Sequence, residues 1–224
     1  MREIVLNIHG IGDPDRAPRS LEPGEATYWI SASLWREAVD RAAAALAAGR
    51  AQVRFTFDDG NISDIEIGAP ALEAAGLSGL FFPLAGRIGE PGSLSAADLA
   101  DLVRRGHGVG NHGHGHVDWR HANLELELKE AREIIATVSG APVVEAAIPF
   151  GLYNRVVLKA LRAAGYAACY SSDGGPVRPG DWPLPRVSLT GGMTATVIDD
   201  LIIGRESLPR RLRRPLARLR KRLL

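Results

Sequence analysis

Five times along this chain a stretch with helical apolar spacing reaches a glycine and gives way to a short run of β-branched and aromatic residues. The helical spacing covers 34–47, 65–75, 96–104, 124–138 and 155–164, and Gly49, Gly76, Gly106, Gly140 and Gly165 follow those stretches, where a left-handed residue closes a last turn. Ser95 with Asp98 makes a capping-box-like start to the third stretch, and Asn154 can cap the fifth. The apolar runs at 4–8, 53–57, 79–84, 108–111, 144–148, 167–171 and, more weakly, 194–198 predict strands. Strands alternating with helices in this way are the pattern of βα units around a parallel sheet or barrel.

With 224 residues, no internal repeat and no low-complexity linker, the chain reads as one domain over 1–204 followed by a basic tail over 205–224. Hydrophobic residues make up 46% and charged residues 24%, a balance that excludes disordered and fibrous classes. Cys169 is the single cysteine, so no internal disulfide is available and a reducing compartment is expected. The N-terminal apolar stretch is too short for a signal peptide and reads as a buried strand. The net charge of +1 hides an uneven distribution: residues 205–224 carry nine Lys or Arg and one Glu, which leaves a body of −7. Leu212, Leu216, Leu219 and Leu223 recur at helical spacing among the basic residues, the pattern of a short amphipathic segment. Such a tail suits an anionic membrane surface or an envelope-biosynthesis partner, and a solvated terminus is the plain alternative. The expectation is a cytoplasmic protein, peripheral to the inner face of the membrane if the tail docks. The acidic body argues against nucleic acid.

Two segments carry chemistry. In Thr56-Phe57-Asp58-Asp59-Gly60 two acids follow an apolar run, and at the C-terminal end of a parallel strand both would enter the face where sites of barrel and open α/β folds are built. Adjacent like charges raise one pKa unless a cation neutralises the pair, which favours one acid as ligand and the other as base. Asp-Asp-Gly is also good turn chemistry. In Gly106-His107-Gly108-Val109-Gly110-Asn111-His112-Gly113-His114-Gly115-His116, four of the six histidines fall in ten residues separated largely by glycine. Imidazole is the commonest metal ligand, and glycine lets a backbone fold tightly enough for two rings to reach one ion. The ion is not fixed by the ligands: zinc leads, with iron, cobalt and nickel as alternatives.

Together these segments resemble the first two motifs of the polysaccharide deacetylase family, the NodB-homology domain of carbohydrate esterase family 4. The resemblance implies a distorted (β/α) barrel of about seven parallel strands, an acetylated carbohydrate as substrate, and one divalent metal ion. Carried over by position, it makes Asp58 the general base and Asp59, His112 and His116 the metal ligands; His114 matches no family role and stays open as an alternative ligand. The segment Ala147-Ile148-Pro149-Phe150-Gly151 is similar to the third motif, with Ala147 where the family has arginine; Arg186 of Leu184-Pro185-Arg186 is the candidate to supply that charge. The family's C-terminal Leu-x-His strand is missing at 194–200, but Leu6-Asn7-Ile8-His9 has the same character. In a closed barrel the first and last strands are neighbours, so His9 can stand in as general acid, as in a circular permutation.

Tyr28, Trp29, Trp119, Tyr153 and Trp182 fall near these segments and could stack on sugar rings. The 11–27 segment, long for a loop inside a compact domain, has the character of a lid or binding loop. Two other functions fit the same sequence: a deformylase or other N-acyl amidohydrolase on the same metal site, and a catalytically silent carbohydrate-binding domain.

Overall fold

The computed structural model describes residues 1–205 and Lys221; the rest of the basic tail lies outside the described residues. Nine strands are present: β1 (Arg2–Ile8), β2 (Gly10–Ile11), β3 (Trp29–Ile30), β4 (Ala51–Asp59), β5 (Gly79–Pro83), β6 (Gly108–Val109), β7 (Glu145–Ala147), β8 (Ala168–Ser171) and β9 (Leu184–Ser188). Among the described residues six α-helices accompany them: α1 (Ala32–Ala47), α2 (Ala69–Ala74), α3 (Ala96–Arg104), α4 (Ala131–Ser139), α5 (Arg155–Ala163) and α6 (Ala195–Ile203). Seven strands form one sheet in the order β6-β5-β4-β1-β9-β8-β7, and every pairing within it is parallel. A parallel bridge between Asn111 and Ala146 brings the two outer strands together, so the sheet is a nearly closed barrel.

The alternation of side chains along the strands separates two cores. Ile4, Leu6 and Ile8 of β1 with Phe55 and Phe57 of β4 join the main cluster against the helices, where Trp35 of α1 meets both phenylalanines edge-on. The intervening positions face a smaller cluster of Val5, Phe82, Ala147 and Tyr170. Asn7, Thr56 and Arg186 are buried among these alternate positions, and the register pairs Asn7 with Thr56 and Val5 with Arg186. The barrel interior is therefore apolar at one level and polar at the next.

Caps and glycines fall largely where the sequence places them. Ser95 and Asp98 form a reciprocal capping box on α3, and Asn154 accepts from the Val157 amide at the start of α5. The helices expected over 65–75 and 124–138 each open with a π-helical turn, Asp64–Gly68 and Leu126–Glu130, before α2 and α4. The expected strand at 194–198 is a helix. Thr194 caps α6 by accepting from the Val197 amide, and Ile198, Leu201 and Ile202 supply a helical apolar face that outweighs the β-branched composition. The seventh strand is β9 instead, a segment whose internal Pro185 argues against a strand reading. Pro185 is accommodated there, paired in register with Ser171.

The 11–27 segment is closed at its base by the two-residue ladder of β2 and β3, which pairs Gly10 with Trp29 and Ile11 with Ile30. Among the described residues no helix is long and apolar enough to cross a membrane. Lys221 donates to the Gly151 carbonyl at 2.8 Å and to Asp173 at 2.7 Å.

Candidate active site and metal centre

Asp58 and Asp59 end β4, where the strand leaves the barrel, and their different backbones send them to different work. Asp58 is buried and gripped by Arg186 from β9: Nη1 donates to Oδ1 and Nη2 to Oδ2, both at 2.7 Å. Asn7 of β1 donates to Asp58 Oδ2 at 2.9 Å, and its own carbonyl oxygen accepts from Arg186 at 2.9 Å and from Thr56 at 2.7 Å. Arg186 lies 1% exposed against the Phe82 and Tyr170 rings, its charge centre 5.6 and 5.8 Å from their centroids. Burial alone would raise the Asp58 pKa, but the Arg186 guanidinium, helped by His112 and His9, outweighs it and holds the carboxyl well below the usual range.

Asp59 has a left-handed backbone, φ 72°, a conformation that costs a non-glycine residue about 1–3 kcal/mol and recurs where a side chain must be aimed. The turn directs its Oδ1 toward the histidine loop, 3.6 Å from His112 Nε2 and 3.7 Å from His116 Nε2. One ligand atom from each of Asp59, His112 and His116 lies within 4.8 Å of the others. Asp59 Oδ1 is buried with no hydrogen-bond partner among the described residues, an orphaned acceptor of the kind that calls for an explanation such as an ion. Both imidazoles turn the same nitrogen outward. His112 Nδ1 lies 2.9 Å from the Ala147 carbonyl, and His116 Nδ1 lies 2.7 Å from Glu22. Burial pushes the His112 pKa down, toward the neutral form that ligates metals.

The histidine loop owes its shape to two buried polar residues absent from the sequence-based expectation. Asn111 accepts from the Gly113 amide at 2.8 Å and donates to the Glu127 carbonyl and to Tyr166. The Glu127 carboxylate, in the π turn before α4, accepts from the His114 amide at 2.8 Å and more distantly from Gly115. A Cβ at residue 113, where φ is 97°, would fall 2.3 Å from that carboxylate, so glycine is required. His114 sits against Gly86 and is outside the ligand triad. His107 is structural: its Nδ1 accepts from the Gly79 amide, and Nε2 lies 2.9 Å from Glu73.

His9 follows the end of β1 and reaches the same cleft, with Nε2 3.9 Å from Asp58 Oδ2 and its ring 4.9 Å from the Tyr28 ring. The cleft has a volume of about 240 Å³ and takes in His9, both aspartates and both loop histidines, with Tyr28, Phe150, Ser172 and Ser188 around them. All six residues singled out in the sequence thus meet at one place. The aromatic expectation fares differently. Tyr28 lines the cleft, whereas Trp29, Trp119 and Tyr153 are core residues and Trp182 is half-buried under Arg162. Phe150, not among the aromatics expected, is 52% exposed and lies 4.1 Å from the His116 ring on a turn with φ 57°.

A parallel barrel with carboxylates and imidazoles converging where a strand leaves it has the architecture of a hydrolase. Residues 46–169 match the model of the polysaccharide deacetylase family, more than half the chain. This chain belongs to that family and is a deacetylase enzyme. Solved structures agree on the fold. The polysaccharide deacetylase BC0361 from Bacillus cereus aligns with a TM-score of 0.77 at 18% identity, covering 90% of this chain and 69% of its own. The Streptococcus pyogenes deacetylase PplD, solved with acetate, gives 0.75 at 17% identity over 90% of this chain and 98% of its own. IcaB from Ammonifex degensii gives 0.72 at 21% identity over 90% and 97%. No match is found among curated proteins.

Proposed function

We propose that this chain removes acetyl groups, N- or O-linked, from a polysaccharide or lipid-linked sugar, and that it does so with one divalent metal ion held by Asp59, His112 and His116. The observation that carries the proposal is the meeting of those three ligand atoms beside an arginine-clamped carboxylate and a third histidine, His9. Separations of 3.6 and 3.7 Å between the carboxylate oxygen and the two ring nitrogens suit atoms that each stand about 2 Å from a shared ion. Two neutral imidazoles with one carboxylate and open positions suit zinc, and iron, cobalt or nickel could occupy the same donor set. A cation bound there would supply Lewis acidity to the acyl carbonyl and make a water at the site a stronger acid.

The remaining work falls to this chain's own side chains. Asp58 is the general base and takes the proton of the attacking water on Oδ2, the oxygen nearest His9 and His112. Arg186 and Asn7 position it and keep it ionised. His9 is the general acid that gives a proton to the leaving nitrogen or oxygen, with Tyr28 limiting the rotation of its ring. No covalent intermediate is needed. The cleft is smaller than the roughly 300–1,000 Å³ of drug-sized ligand pockets, so it suits the acyl-bearing unit with the rest of the carbohydrate outside. The acetate in the PplD structure supports acetyl as the acyl group.

The test is acetate release from a panel of N-acetylated and O-acetylated sugars, with metal content measured on the same samples, for wild type and Asp58→Asn. Retained turnover in Asp58→Asn, or full activity in protein stripped of metal, defeats the proposal. We further propose that the +8 tail holds the enzyme against the inner, anionic face of the membrane, since its sign opposes that of the body. Deleting 206–224 should release the protein from anionic vesicles without changing hydrolysis of a soluble substrate; unchanged vesicle binding disposes of the idea.

A further inference from the structure

We infer that Glu22, on the 11–27 segment, is a positioning residue for the metal centre and acts through His116. The inference rests on the reading of Asp59, His112 and His116 as ligands. Its geometry is that of a carboxylate paired with a ligating imidazole: Glu22 Oε2 lies 2.7 Å from His116 Nδ1. A carboxylate only accepts hydrogen bonds, so Nδ1 carries the proton and the Nε2 lone pair is left facing Asp59. His112 reaches the same tautomer by a different route, through the Ala147 backbone carbonyl, which no side-chain substitution removes. His116 is the ligand whose orientation depends on a replaceable group.

The position of Glu22 is itself specified. Its other oxygen is held by Arg87, just after β5, and its amide donates to Glu25 at 2.8 Å. Glu25 is in turn paired with Arg19, whose Nε donates to Asn61 at 2.9 Å. This polar strap runs from 19 to 25 across the cleft and brings one carboxylate to the edge of the imidazole. Phe150 bears on the His116 ring at 4.1 Å, so rotation of the imidazole is limited by stacking as well as by the hydrogen bond. A surface ion pair between Glu22 and Arg87 would explain one oxygen; the other, aimed at the nitrogen of a half-buried imidazole, is explained by the metal centre.

The experiment measures zinc affinity by competition with a chromogenic chelator, using the full chain with Glu22→Ala, Glu22→Gln and His116→Ala, alone and combined. Glu22→Ala should bind zinc roughly 10–100-fold more weakly than wild type, the usual effect of losing a group that orients a ligand. Glu22→Gln keeps an acceptor for Nδ1 and should recover part of that loss, which also keeps the question open if the alanine variant folds poorly. In the His116→Ala background Glu22→Ala should change the affinity less than about twofold, because its action requires the ring. A zinc affinity for Glu22→Ala within about twofold of wild type overturns the inference, as does an undiminished effect of Glu22→Ala when His116 is already absent. If wild type itself binds no zinc, the ligand reading fails instead, and the two failures are told apart on the same plate.

Discussion

Asp58 is fixed by side chains of two other strands of the sheet, whereas His116 is fixed by a carboxylate borne on a loop. On the acid side, Asn7 comes from β1, beside β4, and Arg186 from β9, beside β1; every partner is buried, and the guanidinium lies against two aromatic rings. On the imidazole side, Glu22 and Arg87 are both partly open to solvent, and the strap that carries Glu22 is joined to the barrel by a two-residue ladder and a few polar contacts. Interior geometry is set by sheet register and is costly to disturb; loop geometry is set by individual hydrogen bonds and can change without unfolding the domain. Asp58 is therefore built into the barrel, and His116 is secured from outside it.

The difference can be broken or sharpened by experiment, beginning with the largest expected effect. Asp58→Asn should lower acetate release by roughly 10²–10⁴-fold, the usual worth of a general base, while zinc content measured by atomic absorption stays at the wild-type level. Arg186→Met removes one partner of a buried pair and should destabilise the fold by about 3–5 kcal/mol in urea unfolding. The same exchange at Arg87 meets a pair that is 23% and 36% exposed and should cost no more than about 1 kcal/mol. Equal costs at the two arginines would erase the contrast between interior and strap. The acid side also has a pH signature in metal-free protein. Because the folded carboxyl of Asp58 is held below its unfolded value near 3.9, its contribution to stability is present above that pH and lost as pH falls further. Urea titrations from pH 6 to pH 3 should show wild type losing more stability than Asp58→Asn at the acid end; parallel curves would mean that the clamp does not bias ionisation.

The residues that meet at the candidate site were legible because their spacing is unusual for structure alone. Two acids after an apolar run and histidines separated by single glycines have few structural uses, and the fold brings Asp58, Asp59, His112, His116 and His9 to one cleft with Arg186 behind Asp58. Their supports were not legible. Asn7 lies in the otherwise apolar run 4–8 of β1, and an uncharged polar residue among buried positions is the one signal that could have marked it. Glu22 and Glu127 gave no signal, because each acts on a histidine from a distant part of the chain. The misplaced seventh strand has a local cause: β-branched residues suit a strand and an apolar helix face equally, and Thr194 decides by capping. The aromatics misled because proximity in sequence to a site does not tell which rings the core will take.

One consequence of the strand order concerns the making of the protein. The clamp on Asp58 joins residues 128 apart, and β1 pairs on one side with β4 and on the other with β9. A nascent chain that has delivered β4 still lacks the cation that its interior aspartate needs, and leaving that charge unmatched opposes closure of the barrel. Any translation product that stops short of residue 186 therefore carries a buried carboxylate without its partner, and the match is made only when the arginine-bearing strand pairs beside the first.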